Sequence, residues 1–256
     1  MKLLTVNAGR PRRMPYTDAA AGGVTGIDKQ PVEGPVWVAD PGPKGVGGSG
    51  VGGDAVCDLR HHGGSDQAVY AFAREDLDFW EGELGRPLAN GVFGENLTTS
   101  GVDIRNALIG ERWRIGPDLV LEATSGRIPC RTFQGWLGEE GWMKRFTHRA
   151  VTGAYLRVIT PGEIRAGDPV EIVHRPAHDV TVTLVFRAVT LERELLPRLL
   201  VAGEALHAEK LRIAGEYVEK YGRIGRPAVG GTPARASAEE AGQTPGTVDP
   251  ALANQP

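Results

Sequence analysis

The sequence predicts a mainly β fold with inserted helices (α+β), barrel-like or built on a closed mixed sheet, followed by a small C-terminal helical extension. Three observations predict it. Short apolar stretches cut by Gly and Pro fill residues 1–185. Helical periodicity takes over after about residue 187. The last stretch, residues 226–256, has almost no large apolar side chains. The organisation expected is a β-rich domain over 1–185, a helical extension over 186–225, and a tail over 226–256 that cannot offset its ordering entropy and stays disordered.

The strands expected in order are "KLLTV", "PVWVA", "AVYAF", "RWRIG", "LVLEAT", "AYLRVI", "PVEIV" and "VTVTLVF". "RWRI" alternates polar and apolar residues, as a half-buried strand does. Two helices interrupt them. "REDLDFWEGEL" sets Leu77, Trp80 and Leu84 on one helical face, and "EEGWMKRF" is a weaker pattern of the same kind. In the extension, Leu195, Leu196, Leu199 and Leu200 make one apolar stripe, with Pro197 marking a kink or boundary. "GPKGVGGSGVGGD", residues 42–54, lacks the GxxxxGK[ST] pattern of a phosphate loop and reads as a flexible connector.

Bulk properties narrow the function. The 256 residues carry a formal net charge of −3, which gives no general drive toward nucleic acid or an anionic membrane. No apolar run approaches the roughly 18 residues of a spanning helix, and the N-terminal run is too short for a secretion signal, so the cytoplasm is expected. Two cysteines, Cys57 and Cys130, fit neither a disulfide framework nor a zinc motif.

Three clusters carry chemistry. In "RHHGGSDQAVYAF", Gly63 and Gly64 permit positive φ and close approach to a ligand, and His61 or His62 could meet an anion or move a proton. A tight turn with solvent-facing histidines is the other reading. In "GVFGENLTTSG", Glu95 and Asn96 sit on a Gly turn and read a ligand edge or satisfy the turn's own backbone. In "SGRIPCRTF", Cys130 lies between Arg127 and Arg131, whose charges would favour the thiolate, the nucleophile and soft metal ligand. Cys57, in the alternating "AVCDLR", reads as a packing residue on a strand.

These clusters, in this order, resemble the MOSC domain family, named for the C-terminal domain of molybdenum cofactor sulfurases. "GGDAVCDLRHHGG", "FGENL", "IGERWRIG", "GRIPC", "GAYLRV" and "GEIRAGDPVEI" carry the resemblance over about residues 1–175. The helical extension is similar to that of the stand-alone, YiiM-like bacterial subgroup. The resemblance implies a barrel-like fold with a cleft at the cysteine. It also implies a molybdenum cofactor (molybdopterin), with Cys130 as molybdenum ligand and catalytic residue. His62, Gly63, Gly64, Gly94, Glu95, Asn96, Arg127 and Arg131 are the cofactor-binding residues it implies. Pyridoxal phosphate binding is a further association of the family. Many members carry Pro-Arg before the "PC" pair and a lysine two residues after the cysteine; here Gly126-Arg127 and Thr132 stand there.

The activity implied is reduction of N-hydroxylated compounds at the metal, with a small-molecule substrate and an external electron-donor protein as partners. An iron–sulfur cysteine set and a convincing flavin fingerprint are both missing from the sequence, so electrons must come from outside. Two alternatives stay open: a sulfur carrier holding a persulfide on Cys130, and a non-catalytic binder of a phosphorylated cofactor. No nucleic-acid or membrane partner is expected.

Overall fold

The computed structural model describes residues 1–17 and 22–222; the tail expected over 226–256 lies outside the described residues. In chain order the strands are β1 (Lys2–Gly9), β2 (Arg12–Arg13), β3 (Val24–Thr25), β4 (Lys29–Pro31), β5 (Val36–Val38), β6 (Val69–Ala73), β7 (Leu97–Ser100), β8 (Arg112–Ile115), β9 (Leu119–Gly126), β10 (Ala154–Thr160), β11 (Gly162–Ile164) and β12 (Val170–His174). The helices are α1 (Arg74–Leu84), α2 (Arg131–Leu137), α3 (Trp142–Arg149), α4 (Val182–Thr190), α5 (Leu196–Leu199) and α6 (Ala208–Tyr221). The fold is mixed, with one large sheet and helices gathered toward the C-terminus.

That sheet has eight strands in the order β12-β8-β9-β10-β6-β7-β1-β4. Only β6 and β7 pair in parallel; the other neighbours are antiparallel. The start of β1 is stitched to the segment leading into β12. Leu3 N donates to Asp168 O at 2.9 Å, Gly167 N to Leu3 O at 2.8 Å, and Val170 N to Met1 O at 3.1 Å. These bonds bend the sheet onto itself and make it barrel-like, with β4 outside the ring.

Alternation along β6 divides the interior. Val69, Ala71 and Ala73 face the main core with Leu3, Leu97, Trp113, Leu121 and Leu156. Tyr70 and Phe72 point to the other face, into a second cluster with Trp80, Phe93, Phe133, Trp142 and Phe146. Tyr155 of β10 lies opposite Tyr70 in register and shares that face. Helices α1, α2 and α3 cover it. On α1, Leu77 and Trp80 are fully buried, and Trp80 stacks on Phe146 at 5.6 Å. Gly85 ends α1 in the left-handed conformation, φ 66°.

One expected strand is a helix. "VTVTLVF" reads as alternation, yet residues from Val182 form α4. Thr181 caps it, its hydroxyl accepting from Leu184 N at 3.1 Å. Val182, Val185 and Phe186 then recur at helical spacing and bury on one stripe. Capping and tertiary burial outweigh the β preference of the branched side chains. Pro197 opens α5, where Leu196 and Leu199 join the main core. Cys57 does not lie on a strand; it sits in the irregular run before the HHGG segment.

Candidate functional site

The site lies on the aromatic face of β6 and β10. A cavity of about 420 Å³ opens there, and Gly63, Gly94, Asn96, Arg127, Cys130 and Arg131 all line it, as do His61 and His62. Residues scattered over some 70 positions of sequence thus meet at one place. The glycine-rich run 42–54 is a built part of its wall. Gly63 and Gly64 have φ of 75° and 81°, and an added Cβ would come within 2.6 Å of Gly48 O and 2.7 Å of the Lys44 Cα. Gly64 N donates to Gly48 O at 3.2 Å. The HHGG turn is therefore laid flat on backbone, which side chains would prevent. Gly64 supports the turn and does not itself line the cavity.

The GEN turn splits its roles. Glu95 is fully buried and faces its own turn: its carboxylate accepts from Gly91 N at 2.5 Å, Phe93 N at 3.0 Å and the Thr98 hydroxyl at 3.0 Å. Burial raises its pKa, against those three donors. Asn96 faces the cavity and is fixed at both ends of its amide. Its Oδ1 accepts from Tyr70 N at 3.1 Å, and its Nδ2 donates to Asp54 Oδ2 at 2.8 Å. Asp54 also accepts from Gly9 N at 2.7 Å and pairs with the buried ammonium of Lys29. Burial lowers the Lys29 pKa, and the Asp54 charge resists that.

Arg127 differs from every other buried cation here. It is 6 % exposed, and its Nε has no hydrogen-bond partner. Among the described residues no carboxylate forms an ion pair with it. Its guanidinium lies over the rings of Tyr70 and Phe133, 5.0 and 4.8 Å from their centroids. Gly94, at φ 76°, makes room, since a Cβ there would stand 3.2 Å from Arg127 Nη1. Two cation–π contacts give about 0.5–2 kcal/mol each. Desolvating an ion costs several kcal/mol. The rings alone do not balance that cost, so the pocket suits an anion. Arg131 is exposed and lines the cavity's edge.

Cys130 lies between Pro129 and α2, half-buried. It lines the main cavity and also a second lobe of about 270 Å³. His62 borders both lobes. Burial, then the charges of Arg127 and Lys44, push its pKa down to about 3, so the imidazole is neutral near pH 7. Cys57 lines the main cavity too, near Lys29 and Asp54, and burial pushes its thiol up. It is a wall residue rather than a strand residue.

Sequence reasoning passed over Lys29, Asp54, Tyr70 and Tyr155, all of which line the cavity. The two tyrosines carried a usable signal. "VYAFA" and "AYLRV" put them on the opposite face from the small residues of the same strands. Lys29 and Asp54 carried none, because only the fold brings them together.

A barrel-like sheet, an HHGG turn on a glycine-rich wall and a half-buried thiol beside an unpaired guanidinium define the class. The MOSC domain family model matches residues 58–171, and the chain belongs to the MOSC domain family. It is 31% identical over 185 residues to "Uncharacterized protein YflK" of Bacillus subtilis (strain 168), covering 72% of this chain and 79% of that protein. It is 29% identical over 192 residues to a protein of Gibberella moniliformis named "Reductase", covering 73% of this chain but only 32% of that one. The structure of YiiM from Geobacillus stearothermophilus superposes with a TM-score of 0.66 at 23% identity, covering 84% of this chain and 97% of that chain. That last likeness shows the fold. No helix among the described residues is long and apolar enough to cross a membrane.

Proposed function

We propose that this protein binds a molybdenum cofactor and reduces N-hydroxylated compounds, with Cys130 as the protein's ligand to the metal. The observation that carries the reading is Arg127, a buried guanidinium with no ion-pair partner, lining the same cavity as a thiol. A molybdopterin brings a phosphate for the first and a soft metal for the second. Among the described residues no cluster of three or more His, Cys, Asp or Glu could hold a metal ion. A metal that arrives with its own pterin sulfurs needs one protein thiolate; of the two thiols that line the cavity, burial holds Cys57 protonated, which leaves Cys130 as the ligand. Family membership and the reductase-named relative support an oxidoreductase.

Each residue then has a part. Arg127 neutralises the phosphate, with Arg131 at the edge as a second cation. Asn96, held by Tyr70 N and Asp54, and Lys29, held by Asp54, offer fixed polar groups to the heterocycle. Gly63 and Gly94 shape the cavity wall, Gly63 by lying flat on the Gly48 backbone and Gly94 by leaving room for Arg127. His62, neutral and poor in partners, becomes a better proton acceptor once an anion sits beside it. The bound group supplies a two-electron reduction of an N–O bond, fed by an external donor protein. Pyridoxal phosphate would share Arg127 but needs a free lysine amine for its aldehyde. Lys29 is committed to Asp54.

The test is metal analysis of protein from a cofactor-competent host, with reduction of a hydroxylamino compound driven by reduced benzyl viologen. Wild type should hold molybdenum and turn over. Cys130→Ser should lose both and keep its melting temperature, because serine preserves size but its hydroxyl keeps its proton. Full metal and activity in Cys130→Ser overturns the ligand role. A metal-free wild type with one extra sulfur on Cys130 replaces this reading with the sulfur carrier.

A further inference from the structure

Cys130 stands at the junction of two lobes, and the cofactor would occupy only the larger. The second lobe shares Cys130, His61, His62, Gln67 and Tyr155 with the first and adds walls of its own: Gly126, Ile128 and Pro129 on one side, Glu209 and Lys210 of α6 on the other. At about 270 Å³ it falls just below the ~300–1,000 Å³ of drug-sized sites. It has room for one ring or two fused rings, and none for a nucleotide or a peptide.

We propose that this second lobe is the chamber for the molecule to be reduced, a small, flat, uncharged compound whose N–O group reaches the Cys130 side of the lobe. The proposal rests on the reductase reading. Three features argue for it. Tyr155 is 7 % exposed and faces both lobes. No described residue takes a hydrogen bond from its hydroxyl, whereas that of Tyr70, its cross-strand neighbour, goes to Thr152 O at 2.7 Å. A buried phenol left unpartnered and aimed into a cavity is set to meet a guest. Next, Ile128 and Pro129 line the same lobe as Tyr155 and give it apolar surface, which suits a flat body. Finally, the charges of the α6 wall cancel: Lys210 Nζ lies 3.1 Å from Glu209 Oε2. An ionic guest would find no free counter-charge on that wall.

The α6 wall is held in place by a clasp on Asp66. Its carboxylate accepts from Ala208 N at 2.8 Å and pairs with Arg157 at 2.7 Å. Thr124 bonds Asp66 O at 2.7 Å while its own O accepts from His207 N at 3.2 Å. Asp66 lies four residues after His62, so the turn that lines the first lobe also anchors the wall of the second. Glu209 and Lys210 fall outside residues 58–171, the span of the family model. The chamber's selectivity therefore rests partly on residues the shared segment does not contain.

The reaction balances as R–NH–OH + 2 e⁻ + 2 H⁺ → R–NH₂ + H₂O. The N–O bond breaks, the oxygen leaves as water, and two equivalents of reduced viologen dye supply the electrons.

Two variants fill the lobe from opposite walls, Ile128→Trp and Glu209→Trp, so that a failure to fold in one leaves the other. In molybdenum-loaded protein, the ratio of kcat/KM for phenylhydroxylamine to that for hydroxylamine should fall about 100-fold, with molybdenum content unchanged. In metal-free wild type, aniline should slow the alkylation of Cys130, and both variants should lose that protection. An unchanged ratio with unchanged protection overturns the chamber and leaves the reductase reading standing. A wild type without molybdenum or reductase activity overturns the reductase reading. Aniline protection lost on filling the lobe would then still support a site for flat uncharged molecules, and no protection would overturn both.

Discussion

Removing the charge of Arg127 should make the cofactor-free protein more stable and the loaded protein harder to form. The perturbation is Arg127→Met, which keeps a long flexible side chain between Tyr70 and Phe133 while deleting the guanidinium. Against the change stand two cation–π contacts at 5.0 and 4.8 Å, about 0.5–2 kcal/mol each. In its favour stands the desolvation of a cation whose Nε has no partner. Replacing a buried charge with a well-packed apolar group is often neutral or stabilising by about 1–4 kcal/mol. We expect a gain of about 1–2 kcal/mol, or a rise of roughly 2–8 °C in Tm for a chain of this size. Loss of one charge-assisted bond to a phosphate costs about 1.5–3 kcal/mol, so cofactor affinity should fall by one to two decades. The assays are thermal melts of metal-free wild type and variant, and molybdenum content after expression under limiting cofactor. A variant that melts well below wild type yet retains full molybdenum would refute the reasoning, because Arg127 would then be a structural strut and not an anion's partner.

Other outcomes follow from the same site. Folding of the cofactor-free protein should weaken in acid through His62. Its pKa is about 3 in the folded chain against 6.5 for an ordinary histidine, so between these values the unfolded chain binds the extra proton. The histidine term is fully favourable above about pH 6.5 and declines as pH falls toward 3, by at most about 1.4 kcal/mol per pH unit; urea melts at about pH 5 and about pH 7.5 should differ less in His62→Gln than in wild type. Glu95→Gln places an amide nitrogen against donors that now meet a carboxylate, and should lower stability by about 1–3 kcal/mol in chemical denaturation; an unchanged midpoint would show that the turn does not depend on that charge. Alkylation of the metal-free protein at neutral pH should label Cys130 before Cys57, whose thiol burial holds in the protonated form; peptide mapping that finds Cys57 first would reverse the order.

Much of this was legible in the sequence where the signal is local. "REDLDFWEGEL" gave α1 its bounds because apolar spacing and a terminal glycine agree. The strand around Trp113 alternates as read, while β9 around Leu121 was legible as a strand but is buried almost throughout. The stretch at Val182 misled because β-branched residues alternate over a span too short to separate period 2 from period 3.6. At the site, the residues of HHGG, GEN and RIPCR converge, yet sequence could not say that Glu95 turns inward while Asn96 turns outward. Nor could it distinguish the two arginines beside Cys130. One is buried and unpaired, the other exposed, and that difference arises from Gly94, Tyr70 and Phe133 closing over Arg127. The glycine run 42–54 read as flexible because composition does not reveal that its backbone is a packing surface.

The alternation along β6 has a consequence for how this protein can change. Successive residues of one five-residue strand answer to different selective demands. Val69, Ala71 and Ala73 are bound to the barrel's volume, and a larger side chain at any of them meets a filled core. Phe72 answers to the shape of the cluster beside the cavity, and Tyr70 to that shape together with its hydroxyl bond to Thr152 O and its ring under Arg127. Substitutions on that side can reshape the room around Arg127 without moving the hydrogen-bond register that places Asn96 and Tyr155. A lineage, or an engineer, can thus vary the guest by editing alternate positions of β6 and β10 while the scaffold keeps its form.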